Sequence, residues 1–148
     1  MRIQKFILES TVVLLVILFL YTALSKFLDL ESFRYDMHNQ PLPKGLSATL
    51  VWLVPLIEIT IVIALLFERS RLAGLYGALV LMSSFTIYTG LVLAKAFHRI
   101  PCSCGGVIKQ LTWPQHLIFN LFFVGITYIA IKLNGKDFTR YNRVDRAT

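Results

Sequence analysis

Residues 46–67 read LSATLVWLVPLIEITIVIALLF, a run of 22 residues interrupted by a single charge, Glu58. A helix rises about 1.5 Å per residue, so about 20 apolar residues cross the hydrocarbon core of a bilayer. Three further runs of this kind extend from about Phe6 to Leu28, from Leu72 to Phe97 and from Trp113 to Leu133. The composition agrees: of 148 residues, 56% are hydrophobic and 16% charged, with mean hydropathy +0.67. A soluble domain carries about a quarter charged residues. The chain is therefore expected to be all-α, one polytopic domain over 1–148 forming a four-helix transmembrane bundle in a lipid bilayer. Its spans are placed at about 6–28, 46–67, 72–97 and 113–133, with a short tail at 134–148.

Arg2 and Lys5 precede the first run as they do in a signal peptide. The run is long, however, and no small-residue cleavage site follows it, so it is read as a retained first span. The net charge of +7 serves orientation here, not nucleic-acid binding, because basic loops stay in the cytoplasm. Nine basic residues fall on one side (Arg2, Lys5, Arg69, Arg71, Lys132, Lys136, Arg140, Arg143, Arg146) and six on the other (Lys26, Arg34, Lys44, Lys95, Arg99, Lys109). Both termini are accordingly expected in the cytoplasm of a bacterial cell, with the protein in the inner (plasma) membrane. The first and third connections then lie outside.

Between the first two spans, Asp29 to His38 is long enough for a short interfacial helix. Asn39-Gln-Pro-Leu-Pro43 then breaks the chain, since Pro41 and Pro43 lack donors and restrict the residues before them. Glu68-Arg-Ser-Arg71 is a tight turn that makes spans two and three antiparallel neighbours. Pro101 ends span three, and Cys102-Ser-Cys104-Gly-Gly106 forms a loop. Thr112 is expected to cap span four, with Pro114 in the first turn, where proline is tolerated.

Cys102 and Cys104 are the chain's two cysteines, one residue apart in a loop assigned to the oxidising side, where such a pair can form a disulfide. A bridge across one intervening residue closes a very small ring and contributes little as a staple. Strained, exposed disulfides are labile and suit exchange chemistry, and Arg99, Lys109 and His98 favour the thiolate. The competing reading is a non-enzymatic metal-binding or transport module with a zinc or copper site built from His98, Cys102, Cys104 and His116. A third is an assembly factor whose cysteines only dock a partner.

Glu58 is the second signal. An ionisable group this deep in a span normally faces the bundle interior or a wet cavity. It serves either as a proton or ligand site or as a hydrogen-bonded lock between helices. Pro55, one turn before it, frees a carbonyl at nearly the same level. Further polar residues share helical faces: Thr22, Lys26 and Asp29; Ser84, Tyr88 and Lys95; Trp113, His116 and Asn120. All fall in the outer half, where they suggest a partly polar pocket beneath the cysteines, although Lys26 alone can snorkel to the interface. Glu58 lies roughly 12 residues, or about 18 Å, into its span, whereas Lys26 is only about one turn from the outer end of its own. A hydrogen bond from Tyr88 or Asn120 is therefore expected at Glu58 in preference to a pair with Lys26.

Together, Ser25-Lys26-Phe27, Asn39-Gln-Pro-Leu-Pro43, Pro55-Leu-Ile-Glu58, Cys102-Ser-Cys104-Gly-Gly106 and Trp113-x-x-His116 followed by Asn120 carry a family resemblance. The chain resembles the MauE branch of the MauE/DoxX redox-associated membrane proteins, a family tied to methylamine utilisation. Such proteins are similar in build to membrane oxidoreductases that generate disulfides. The resemblance implies a role in disulfide formation or maturation of exported proteins, as a thiol–disulfide oxidoreductase or a partner of one. This chain has one cysteine pair where the quinone-linked oxidoreductases have two. The combined expectation is exchange at Cys102 and Cys104 with an exported thioredoxin-like protein or folding substrate. A quinone near Lys26, Glu58, Tyr88, His116 and Asn120 would take the electrons, or alternatively a second protein would.

The orientation is directly testable. A membrane-impermeant thiol reagent, applied to spheroplasts after mild reduction, is expected to label Cys102 and Cys104 without lysis. Labelling that requires lysis would invert the topology.

Overall fold

A computed structural model describes residues 2–40, 43–95 and 112–145, without the side chains of Trp113 and 135–145. Its elements are α1 (Arg2–Leu28), α2 (Leu30–His38), α3 (Lys44–Leu66), α4 (Arg71–Leu93) and α5 (Trp113–Asp145). Among the described residues there is no strand, and α1, α3, α4 and the Pro114–Asn134 portion of α5 are long and apolar enough to cross a membrane. The architecture is all-α, as the runs of apolar residues require. In a bilayer core only internally satisfied backbones such as helices or closed barrels can span.

Each span buries one stripe and turns the rest outward. On α1 the buried positions are Leu8, Thr11, Val12, Leu15, Phe19, Thr22, Ala23 and Lys26, the 3–4 spacing of one helical face. Val13, Ile17, Leu20 and Leu24 point the other way and are exposed. Exposed leucine and isoleucine along a whole helix face suit hydrocarbon as the surrounding medium. The helices pack as a ring in which α1 and α4 each lie against both α3 and α5, and α2 lies across α3.

The short α2 begins where α1 ends. Asp29 leaves helical geometry (φ −123°, ψ 55°), and its carboxylate accepts from the Ser32 backbone N–H at 3.3 Å. This is N-capping by an acidic residue, which favours a new helix start over continuation of the old one. At the far side of α3, Ser70 donates its hydroxyl to the Ala64 carbonyl at 3.0 Å and closes the α3–α4 turn. The turn is tight enough that a Cβ at Gly74 would stand 2.9 Å from the Leu65 backbone nitrogen. At the same end Arg71 Nη1 meets Glu9 Oε1 at 2.9 Å, tying α4 to α1. At the start of α5 the Gln115 side chain reaches back, its Oε1 accepting from the Thr112 N–H at 2.9 Å, one half of a capping box.

Two boundaries differ from the sequence reading. The third span ends at Leu93, short of Phe97: Ala94 and Lys95 form a turn, and Lys95 has φ 54°, a left-handed conformation that a helix cannot propagate through. The last helix continues past Leu133 to Asp145. The backbone there needs no hydrocarbon around it to stay helical.

Small residues at the α3–α4 crossing have a measurable consequence. Gly74→Val is expected to lower stability by about 1–3 kcal/mol, as overpacking does, in thermal unfolding of the purified protein in detergent. Gly45→Ala, where nothing lies within 4 Å of the new Cβ, should leave the transition nearly unmoved.

Candidate functional site

Buried polar groups divide the bundle in two. The apolar core gathers Leu8, Val12, Leu15 and Phe19 of α1, Ile61, Val62 and Leu65 of α3, Leu75, Ala78 and Met82 of α4, and Phe123, Ala130 and Ile131 of α5. Most of these lie toward the end of the bundle where α1 begins and the α3–α4 turn sits, with Phe19, Met82 and Phe123 near mid-height. The buried polar residues Thr22, Lys26, Gln40, Ser47, Thr89 and Asn120 lie toward the α2 end, among the buried apolar Ala23, Phe33, Val51, Val54 and Val92, and Glu58 lies on α3 one turn from Ile61. Thr11 and Thr127 fall in the apolar half, and each hydroxyl is satisfied by its own helix, at Ile7 O (2.9 Å) and Phe123 O (2.6 Å).

At the boundary between the halves, Lys26 Nζ donates to Glu58 Oε1 at 2.7 Å. Glu58 is 1% exposed and Lys26 6%. The distance is that of a charge-assisted hydrogen bond. Lys26 also approaches the Thr22 carbonyl at 3.5 Å and stands 5.7 Å from the centre of the Phe33 ring. Phe33 is the buried residue of α2, so the interfacial helix lays an aromatic face beside the buried cation.

This pairing overturns the expectation that Tyr88 or Asn120 would serve Glu58. Two features of the fold bring Lys26 and Glu58 together. First, α1 stops at Leu28 while α3 continues toward the α2 end and packs its first turns against α2, so the two helix ends are not level. Second, Cα–Cβ bonds tilt toward a helix's own N-terminus. In antiparallel helices Lys26 therefore leans into the bundle and Glu58 leans back toward the α2 end, and the offset closes. For the same reason Lys26 does not snorkel outward. Tyr88 instead donates its hydroxyl to Gln40 Oε1. Gln40 is buried directly after α2 and so joins the chain break to α4.

The three polar faces read from the sequence are only partly assembled. Thr22 and Lys26 are buried, but Asp29 is exposed as the α2 cap. Tyr88 is half-buried, whereas Ser84 and Lys95 are exposed. Asn120 is buried and His116 is half-buried, with its Nε2 enclosed and lacking a hydrogen-bond partner among the described residues. Glu58 Oε2 is likewise enclosed and without a partner there. His98, Cys102 and Cys104 lie outside the described residues, as does the side chain of Trp113. Among the described residues no three His, Cys, Asp or Glu side chains gather as a metal site.

Gln40, Ser47 and Thr89 were missed because each is an ordinary polar residue in a sequence without charge contrast. Glu9 could have been found: it is a charge inside the first apolar run, on the same side as Arg71.

Removing one partner of a buried ion pair strands the other charge. Lys26→Met is expected to destabilise the bundle by about 3–5 kcal/mol, and the double variant Lys26→Met/Glu58→Leu to recover most of the loss. Thermal unfolding of both variants in detergent is the measurement. A silent Lys26→Met would mean that the two side chains are not paired.

Comparison with known proteins agrees with this architecture. No curated protein and no solved structure matches the chain. A family model described as methylamine utilisation protein MauE matches residues 4–133, which takes in all four apolar spans and the Lys26–Glu58 pair. The chain is thus a multi-pass membrane protein belonging to the MauE family.

Proposed function

We propose that this protein is a membrane thiol–disulfide redox protein that serves disulfide formation in exported proteins of a methylamine-utilisation system. Cys102 and Cys104 are its exchanging pair. The observation that carries the reading is the segregated polar half of the bundle, with the Lys26–Glu58 pair at its base. The cysteine segment joins Leu93 to Trp113, and both of these residues stand at the α2 end, above that half. The pair is read as facing the extracytoplasmic side, on the strength of the basic residues at the opposite end.

The exchange balances simply. A thiolate of an exported thioredoxin-like protein or folding substrate attacks one sulfur of the Cys102–Cys104 disulfide and releases the other as a thiolate. The substrate's second thiolate then resolves the mixed disulfide. The substrate leaves oxidised, and Cys102 and Cys104 are left reduced. Reoxidation removes two electrons and two protons. A quinone held in the polar half would supply the acceptor for both electrons and both protons. One residue of the polar half fits such a group: His116 Nε2 is an enclosed ring nitrogen without a partner among the described residues and would donate to a quinone carbonyl. Lys26, Tyr88 and Asn120 stand in the same half. Within this reading Lys26 and Glu58 are held rigid by one another, and Phe33 and Gln40 close the polar half on the α2 side.

Purified protein should cycle between two forms differing by the mass of two hydrogen atoms, with a reduction potential well above the roughly −300 mV typical of structural disulfides. Cys102→Ser should abolish the couple. Stoichiometric zinc or copper that survives chelation and disappears in Cys102→Ser would instead make the cysteines metal ligands.

A further inference from the structure

Charge is unevenly divided between the two ends of the bundle. The α2 end carries Asp29, Glu31 and Asp36 beside Arg34, Lys44 and Lys95. At the opposite end the acids among the described side chains are Glu9 and Glu68, against Arg2, Lys5, Arg69, Arg71 and Lys132. Glu9 is already taken, since its Oε1 accepts from Arg71 Nη1 at 2.9 Å. That contact sets the first turns of α1 against the α3–α4 turn. Arg2 and Lys5 precede Glu9 at helical spacing, which puts all three on one face of α1. Arg69 lies just before Arg71 in the turn. The neutralised Glu9–Arg71 pair is thus flanked by cations from both elements.

Arg2, Lys5 and Arg69 are exposed, and none has a carboxylate partner among the described residues. Glu68, exposed in the same turn, offsets one charge and leaves the patch net positive. The residues beside these cations are apolar and face outward: Ile3 is 74% exposed, Phe6 73%, Leu66 61% and Phe67 63%. The apolar spans begin and end at this level, so the cations stand where hydrocarbon gives way to headgroups, with their stems along the apolar surface. An anion that fits is therefore amphipathic. Its phosphate oxygens suit Arg and Lys, and its acyl chains cover Ile3, Phe6, Leu66 and Phe67. A soluble phosphate would leave those four residues uncovered. A zwitterionic lipid sets an ammonium beside its phosphate and gains little from a net positive patch. Orientation in the membrane depends on how many basic residues lie on a side; a salt bridge that fixes two elements beside them builds a site.

We infer that Arg2, Lys5 and Arg69 bind the headgroup of an anionic phospholipid at the end of the bundle opposite α2. The Glu9–Arg71 pair positions the patch, and the lipid phosphate is the anion that the three exposed cations lack. The site is separate from the cysteine chemistry and does not rest on it. A bound lipid ties α1 to the α3–α4 turn, and because it binds the folded chain it raises stability with its occupancy.

The test uses the full chain in nonionic detergent, with phosphatidylglycerol and phosphatidylcholine of identical acyl chains as probes. Lipid retained per protein is counted by native mass spectrometry, and thermal unfolding is followed in parallel. The unmodified chain is expected to hold phosphatidylglycerol about tenfold or more tightly than phosphatidylcholine, with the difference shrinking as salt is raised. The triple variant Arg2→Gln/Lys5→Gln/Arg69→Gln should bring that preference toward unity. Arg34→Gln/Lys44→Gln, at the α2 end, should keep it. An excess of glycerol 3-phosphate, which carries the anion without the chains, should leave the lipid bound. Equal binding of the two lipids by the unmodified chain overturns the inference, whatever the variants do. So does a preference that survives the triple variant, an equal loss in the α2-end variant, or displacement by glycerol 3-phosphate.

Discussion

A lysine and a glutamate closed off from solvent inside a bundle of apolar helices constrain everything around them. Each charge alone would be far too costly to keep at that depth. Held 2.7 Å apart, they become tolerable only as a pair, and only if α1 and α3 keep their relative height and rotation. The interfacial helix, the chain break after it and the outer turns of α3 can all be understood as the structure that holds this register. Phe33 flanks the ammonium, and Gln40 reaches Tyr88 on α4. A buried ion pair is weak evidence for stability, because a well-packed apolar pair would serve as well or better. Its presence therefore points toward use.

The division of the core gives that use a direction. One half of the bundle is packed hydrocarbon, tightened by the α3–α4 crossing at Gly74 and by the Glu9–Arg71 link at its end. The other half contains nearly all the buried polar groups that are not satisfied within their own helix. An arrangement of this kind does not suit a path across the membrane, which would need polar groups along its whole length. It suits a site with a floor, approached from one side. The proposed thiol chemistry fits that shape, because exchange with exported proteins takes place at one surface and electrons leave to a bilayer-soluble acceptor.

The family model spans residues 4–133 and so covers the bundle together with the cysteine segment. Membership places this chain among membrane proteins of methylamine utilisation, while the chemistry argued for it comes from its own residues.

The sequence by itself determined the class and the number of spans, because bilayer thickness translates directly into a count of apolar residues. It also located the α2 helix between Asp29 and His38, the α3–α4 turn, and the Thr112 start of α5, all of which follow from local capping and turn chemistry. Glu58 and Lys26 were each legible as unusual, since a charge in or beside an apolar run stands out without any structure. Their partnership was not. Depth counted along separate helices placed Lys26 too near the membrane surface to reach Glu58. Only the tertiary structure decided otherwise, because the pairing depends on unequal helix ends and on antiparallel side-chain tilt, quantities that exist between helices and not within them. The same holds for Gln40 and Thr89, whose burial follows from which elements pack over them. Ser84 and Lys95 shared a helical face with Tyr88 in the sequence, yet they ended outside the core. Periodicity identifies a face, but it did not show that α4 ends at Leu93, which leaves Lys95 off the helix, or that Ser84 is left uncovered.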